Sequence, residues 1–380
     1  MTTRQDWEFV EPMTEPDDGA WIAASADPRP AQQAPAAAPT TPAHPDTSTH
    51  GAAPTQERTA PTEDRPAAAP VSPAATPAPP AAAPVAPAAA PAPPAAAPAP
   101  KPADGEIGPT GRPLRTIPEP AALSSHGPAR VIAMCNQKGG VGKTTSTINL
   151  GAALAGFGRR VLLVDLDPQG ALSAGLGVPS HELDRTIYNL MLEKTTAISD
   201  VLVSTDVENL DLIPANIDLS AAEVQLINEV GREQTLARAL RPVLHAYDYV
   251  LIDCQPSLGL LTVNALACSH GVIMPVAAEF FSLRGVALLV DTVEKVQERI
   301  NPELTIDGVL VTMFDGRTVH ARDVVAMLVQ RFGDQVFDAV IARTVKFPET
   351  TVAGEPITSY APTSPAAEAY RALAREVIAR

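Results

Sequence analysis

From Arg130 to the C-terminus, short apolar runs alternate with stretches whose apolar residues return every three or four positions. The runs are Val131 to Cys135, Val161 to Val164, Leu210 to Ile213, Tyr249 to Ile252, Val272 to Val276, Gly308 to Met313 and Val336 to Ile341. They are apolar at odd and even positions alike, which fits strands buried on both faces rather than a sheet with one wet side. The intervening stretches have helical spacing, as in Ile148, Leu150, Ala153 and Leu154. This alternation predicts a doubly wound α/β domain: a mostly parallel sheet with helices on both faces and a ligand site at the carboxyl ends of the strands. The last helical pattern, Ala366 to Arg380, places Tyr370, Leu373, Val377 and Ile378 on one face. It lacks a lysine-rich flank, so docking on the sheet is expected of it rather than membrane binding.

The first 127 residues break this pattern. They hold 28 of the 40 prolines, mixed with alanine in runs such as Pro79 to Pro84. Too little large apolar surface is present there to offset the entropy of ordering, and proline blocks regular helix, so a long disordered Pro/Ala-rich region with polyproline II character is expected. The division predicted is therefore 1–127 as tail and 128–380 as one folded domain, long enough for a sizeable core. Residues 1–25 differ from the rest of the tail. Trp7, Phe9, Val10, Trp21 and Ile22 stand there among Asp6, Glu8, Glu11, Glu15, Asp17 and Asp18. Either a short segment that binds a protein partner or a weakly constrained acidic tail accounts for that composition.

Charge narrows the classes further. The net charge is −15, with 14 acidic against 7 basic residues in 1–127 and 29 against 21 in the remainder. Overall charge lends no support to nucleic-acid binding, which would need a local basic patch. Cys135, Cys254 and Cys268 lie in apolar contexts without metal-ligand spacing, as buried reduced thiols do. No positive-apolar-small leader is present and no apolar run approaches the roughly 18 residues of a membrane span, so a cytoplasmic protein is expected.

The most informative stretch is Cys135-Asn136-Gln137-Lys138-Gly139-Gly140-Val141-Gly142-Lys143-Thr144-Thr145. It follows a strand pattern and opens a helical one, so the context is strand, glycine loop, helix. Backbone N–H groups there can converge on a polyphosphate, with the helix N-terminus adding partial positive charge. Lys143 would reach the β- and γ-phosphates, and the Thr144 hydroxyl would ligate Mg²⁺.

The usual G-x-x-x-x-G-K-[ST] loop has glycine where this chain has Gln137, and Lys138 is an additional lysine. In that form the loop resembles the deviant Walker A motif of the ParA/MinD ATPases. The resemblance implies that residues 138–145 bind ATP and that Lys138 reaches across a homodimer to the partner's nucleotide. Two more stretches extend it. Leu163-Val164-Asp165-Leu166-Asp167-Pro168-Gln169 matches the ParA switch I motif, although alone such a turn serves capping more often than chemistry. By resemblance Asp167 is the hydrolytic carboxylate and Asp165 supports the metal. Asp253 closes the apolar strand before Cys254-Gln255-Pro256 in the Walker B manner and would hold Mg²⁺ through a water. Met274 to Gly285 is also similar to a ParA stretch, and the absence of [NT]-K-x-D favours ATP over GTP.

The likeness runs nearly continuously from Arg130 to Arg380, is closest to actinobacterial ParA-like proteins, and implies binding to DNA without sequence preference. Arg317 aligns with a DNA-contacting arginine, Arg343 is retained in a second basic cluster, and Lys346 replaces an arginine there. Ala342 and Thr344 replace proline and asparagine in a loop that borders the nucleotide base in relatives. The expected activity is a slow, Mg-dependent ATPase that partitions chromosome or plasmid DNA on the nucleoid. A ParB-like partner would stimulate it. The same module could instead position division, chemotaxis or secretion machinery without DNA. An iron–sulfur reductase is disfavoured, since no cysteine pair suits bridging two subunits.

Overall fold

The structure is a computed structural model that describes residues 107–279 and 282–380. The expected interaction segment at 1–25, the rest of the chain up to residue 106, and Phe280 and Phe281 lie outside the described residues. Strands β1 (Arg130–Met134), β2 (Val161–Leu166), β3 (Val203–Ser204), β4 (Leu210–Ile213), β5 (Tyr249–Cys254), β6 (Gly271–Ala277) and β7 (Thr305–Thr312) form one sheet in the order β3-β4-β2-β5-β1-β6-β7. All pairs are parallel except β3 with β4. The helices are α1 (Lys143–Gly156), α2 (Ala171–Gly175), α3 (Ile187–Leu192), α4 (Leu219–Leu226), α5 (Thr235–Leu240), α6 (Leu260–Cys268), α7 (Ser282–Arg299), α8 (Val319–Phe332), α9 (Lys346–Ala353), α10 (Ile357–Tyr360) and α11 (Pro365–Ala379).

Strand alternation divides the core in two. Val131, Ala133, Leu162, Val164, Val250 and Ile252 point to one face, where they pack with buried side chains of α3 to α8. Ile132, Met134, Leu163 and Leu251 point to the other, against α1, α10 and α11. Successive side chains of a strand leave on opposite faces, so helices on both sides require both sets to be apolar. Gly151 lets α1 settle onto the sheet, since a Cβ there would lie 2.7 Å from Leu163 Cδ2. The expected docking of the C-terminal helix is present: Tyr370, Leu373 and Val377 are buried, and the Tyr370 hydroxyl meets Ser146 Oγ of α1 at 3.2 Å.

Two details differ from the pattern reading. Val336 to Ile341 does not complete a strand, although it bonds to β7 through Phe337 N–H to Val309 O (3.0 Å) and Ile341 N–H to Val311 O (2.8 Å). Between those points the Asp338 and Ala339 N–H groups donate to the buried Glu376 carboxylate, at 2.9 and 2.7 Å. The seventh strand is instead the two-residue β3, too short to have a period.

Residues ahead of β1, grouped with the tail by composition, lie against the domain. Arg112 donates to Gly333 O at 2.9 Å and pairs with Asp338, which Arg115 Nε also meets at 2.6 Å. Nearer β1, the buried Asp248 carboxylate pairs with His126 Nδ1 (2.7 Å) and accepts from Gly127 N–H (2.9 Å) and Arg160 N–H (2.8 Å).

Candidate functional site

The glycine loop leaves β1 at the point where the chain turns toward β2 on one side while β6 and β7 lie on the other, the switch point of the sheet. Asn136 pins its start by donating Nδ2–H to Pro275 O (2.7 Å) and accepting from Lys138 N–H at 3.0 Å. Gly140 and Gly142 have φ of 72° and 85°, which a side chain would disfavour. Gly142 is the N-cap of α1, and neither a capping side chain nor an acidic residue in the first turn competes for its N–H groups. Val141 is buried and its carbonyl accepts from Thr312 Oγ1 at 2.8 Å, which ties the loop to the end of β7. Gly139 lacks a positive φ, and a Cβ there would only touch Pro256 Cβ at 4.0 Å.

The two lysines divide the space. Lys143 is buried, with Nζ donating to Lys138 O at 3.3 Å. The Lys138 ammonium pairs with Glu279 at 3.0 Å on a side-chain surface that is 35% exposed. Glu279 also meets Arg343, at 3.4 Å, and these cations hold its carboxyl below the ordinary range. Pattern reading missed Glu279, because an isolated acid after a strand carries no signal of its own.

Behind the loop are two buried carboxylates. The β2–β5 register sets Asp165 beside Asp253. Asp253 accepts from Thr144 Oγ1 at 2.7 Å and from Thr147 Oγ1 at 3.4 Å. Asp165 turns toward its own loop, accepting from Ser173 N–H (2.9 Å), Ser173 Oγ–H (2.7 Å) and Asp167 N–H (3.2 Å). Burial pushes the Asp165 carboxyl up to about 7. Burial, and then the charge of Asp165, pushes Asp253 up to about 8. Ser173, also unmarked in the sequence, anchors the loop from within α2; its hydroxyl additionally accepts from Ala215 N–H at 3.2 Å. Asp167 stands at the turn into α2 and accepts from Gln169 N–H at 3.0 Å.

Of the three cations expected to meet DNA, Arg317 and Arg343 lie on two joined turns. Phe314 N–H donates to Ile341 O (3.0 Å), and Arg343 N–H to Phe314 O (3.2 Å). Arg317 is 90% exposed and forms a two-pronged pair with Asp315, both contacts 2.9 Å. That pairing draws the Asp315 carboxyl down to about 2. Arg343 is exposed beside Glu279, and Lys346 opens α9. Between these turns and the loop is a cavity of about 330 Å³, lined by Gly142, Thr145, Met313, Arg343, Phe347 and Pro348. A larger hollow of about 570 Å³ lies at the far end of α1, beside Gly156 and Arg371, away from the glycine loop. Among the described residues, no helix is long and apolar enough to cross a membrane.

Comparison with known proteins agrees with this geometry. A family model described as an AAA domain matches residues 129–306. An uncharacterised Mycobacterium tuberculosis protein is 72% identical over 274 residues, covering 72% of this chain and 86% of that one. The sporulation initiation inhibitor protein Soj of Bacillus subtilis is 47% identical over 250 residues, which are 66% of this chain and 98% of Soj. The chromosome partitioning protein ParA of Myxococcus xanthus is 45% identical over 251 residues, 66% of this chain and 88% of ParA. Among solved structures, one described as cobyrinic acid a,c-diamide synthase from Mycobacterium smegmatis with bound ATP analog and magnesium aligns with a TM-score of 0.58. It is 43% identical, over 65% of this chain and 93% of that one.

Proposed function

The chain belongs to the ParA/MinD family of ATPases, and on that premise we propose an ATP-driven switch that dimerises over two nucleotides, holds DNA without sequence preference and partitions chromosome or plasmid DNA. The observation that carries this reading is the division of labour between two lysines of one loop. Lys143 fills the inward place beside the phosphate cradle, and the Lys138 ammonium lies on the exposed side, where a second subunit can meet it.

The residues fit ATP and Mg²⁺. The left-handed Gly140 and Gly142 keep the cradle clear of side chains, and α1 presents uncapped N–H groups. The Thr144 hydroxyl and the Asp253 carboxylate are hard oxygen donors 2.7 Å apart, and the two buried acids call for a compensating cation. When bound, Mg–ATP supplies the phosphoanhydride whose cleavage drives the switch. In this reading Thr144 and Asp253 hold the cation, and Lys143 neutralises phosphate charge. Asp165, the further carboxylate that would support the metal, also holds through Ser173 the loop on which Asp167 would orient the attacking water. The cavity lined by Phe347 and Pro348 has the apolar walls a nucleotide base needs. Lys138 bridges to the partner's phosphates, and Arg317, Arg343 and Lys346 of both subunits face DNA. A ParB-like protein completes the transition state, with cytoplasm and nucleoid as the setting.

The deciding experiment measures retention on nonspecific duplex with ATP, with ADP and without nucleotide, at two salt concentrations. ATP-dependent, salt-sensitive retention is expected, along with an Asp167→Ala protein that binds ATP, fails to hydrolyse it and sediments as a dimer. Dimerisation without DNA retention would point to positioning of a protein assembly instead. Asp167→Ala turnover at the wild-type rate, or a monomer at saturating ATP, overturns the switch. A diamide synthase, as named for the solved relative, would couple turnover to amide formation, so ATP hydrolysis with no acyl acceptor present separates the two.

A further inference from the structure

Two thiols face each other at the root of the phosphate loop. Cys135 joins β1 to the loop and Cys254 ends β5. Because Met134 pairs with Asp253 across the parallel strands, Cys135 and Cys254 are the next neighbours. The Cys135 thiol donates to Cys254 Sγ at 3.0 Å, and both residues are buried and free. Neighbouring strands run about 4.8 Å apart, inside the roughly 4.4–6.8 Å Cα window of disulfides, and an S–S bond of about 2.05 Å needs only about 1 Å of sulfur movement. Cys268 differs: its thiol donates to Ala265 O at 3.3 Å within α6.

The geometry points to Cys135 and Cys254 as an oxidisable dithiol, a modification site at which a peroxide-class oxidant staples the phosphate loop to the strand that carries Asp253. One sulfur attacks the peroxide O–O bond, is oxidised to a sulfenic acid and releases one water. The second sulfur then attacks the first, the S–S bond forms as the S–O bond breaks, and a second water leaves. Two thiols and one hydrogen peroxide thus give one disulfide and two waters, two electrons passing from sulfur to oxygen; an added dithiol reductant reverses the step. Buried thiols exclude bulky reagents and react slowly, which restricts the oxidant to something the size of hydrogen peroxide. Contact between the sulfurs supplies the selectivity: once one is a sulfenic acid, its neighbour closes the bond ahead of further oxidation.

The position gives the bond its consequence, which rests on reading this loop as an ATP site. Cys135 leads into the loop that ends at Lys143 and Thr144, and Cys254 follows Asp253, the acceptor of the Thr144 hydroxyl. Misplacement of reacting groups by about 1 Å costs on the order of a hundredfold, so turnover should fall at least about tenfold on oxidation.

The test uses the full chain, treated with hydrogen peroxide, alkylated and digested without reductant. Expected are a linked peptide joining Cys135 to Cys254, a drop in ATP turnover, and recovery with dithiothreitol. In Cys135→Ala and Cys254→Ala proteins, each compared with its own reduced form, the drop should vanish; if one fails to fold, the other carries the comparison. Modification of Cys268 alone, or a linked peptide with unchanged turnover and nucleotide affinity, overturns the proposal. The peptide is read without any ATPase activity, so its absence refutes the dithiol, whereas a linked peptide from a protein whose reduced form neither binds nor hydrolyses ATP refutes the nucleotide reading alone.

Discussion

Proton release on cation binding follows from the paired carboxylates. Asp253 lies beside Asp165 across the β2–β5 register; burial first, and the Asp165 charge second, set its carboxyl at about 8, with Asp165 at about 7. At pH 7 a carboxyl with that affinity is roughly 90% protonated, and at pH 9 roughly 10%. A cation held by Asp253 through a water is drawn by the carboxylate anion, so protonation of Asp253 opposes cation binding. Binding of Mg–ADP should therefore release roughly one proton per site at pH 7 and about a tenth of one at pH 9. Apparent Mg²⁺ affinity should rise about tenfold per pH unit below about pH 8 and level off above it. Titration calorimetry at pH 7 in two buffers of unequal ionisation enthalpy gives the proton count from the difference in observed heat. Asp253→Asn should flatten the pH dependence, because the amide cannot exchange a proton for the metal. A wild-type count of zero at pH 7 would refute the reasoning, since Asp253 would then be ionised beforehand or remote from the cation.

Three further outcomes are expected. Gly139→Val should leave the melting temperature and ATP binding near wild type, because a Cβ there meets only Pro256 at 4.0 Å. It should nevertheless abolish the ATP-dependent shift in sedimentation; unfolding of the variant would show that the glycine serves the monomer. Asp315→Asn removes the carboxylate that grips Arg317 at 2.9 Å and should strengthen DNA retention, whereas an Arg317→Ala/Lys346→Ala protein should lose it and lower the salt slope by about 0.9 per phosphate contact removed. Asp248→Ala removes the acceptor of the part-buried Gly127 and the exposed Arg160 N–H groups and should cost about 1 kcal/mol at pH 7 in urea unfolding. The Asp248 carboxyl is depressed in the fold, with burial opposing and His126 favouring the anion, so its contribution is present above the unfolded value and fades as pH falls through the folded one. A wild-type-to-variant gap that widens in acid would contradict that sign.

What the sequence determined by itself was local and repetitive. Runs apolar on both parities required a sheet covered on both faces. Gly140, Gly142, Lys143 and Thr144, within one stretch of five residues, required a strand-loop-helix phosphate cradle, because neighbouring residues supply its geometry. Composition likewise set a Pro/Ala-rich stretch apart from the alternating pattern, although it grouped Arg112, Arg115 and His126 with that stretch, and their partners Asp338 and Asp248 are more than a hundred residues away. Only the tertiary structure decided which distant groups meet: Asp165 with Ser173 and Asp253, Cys135 with Cys254, and Glu279 with both Lys138 and Arg343. The edge segment at 336–341 shows the same limit, since Glu376 of the last helix takes the N–H groups that a strand would have used. Periodicity records which face a residue presents to a neighbour; strand order and register, settled by packing the whole chain, choose the neighbour.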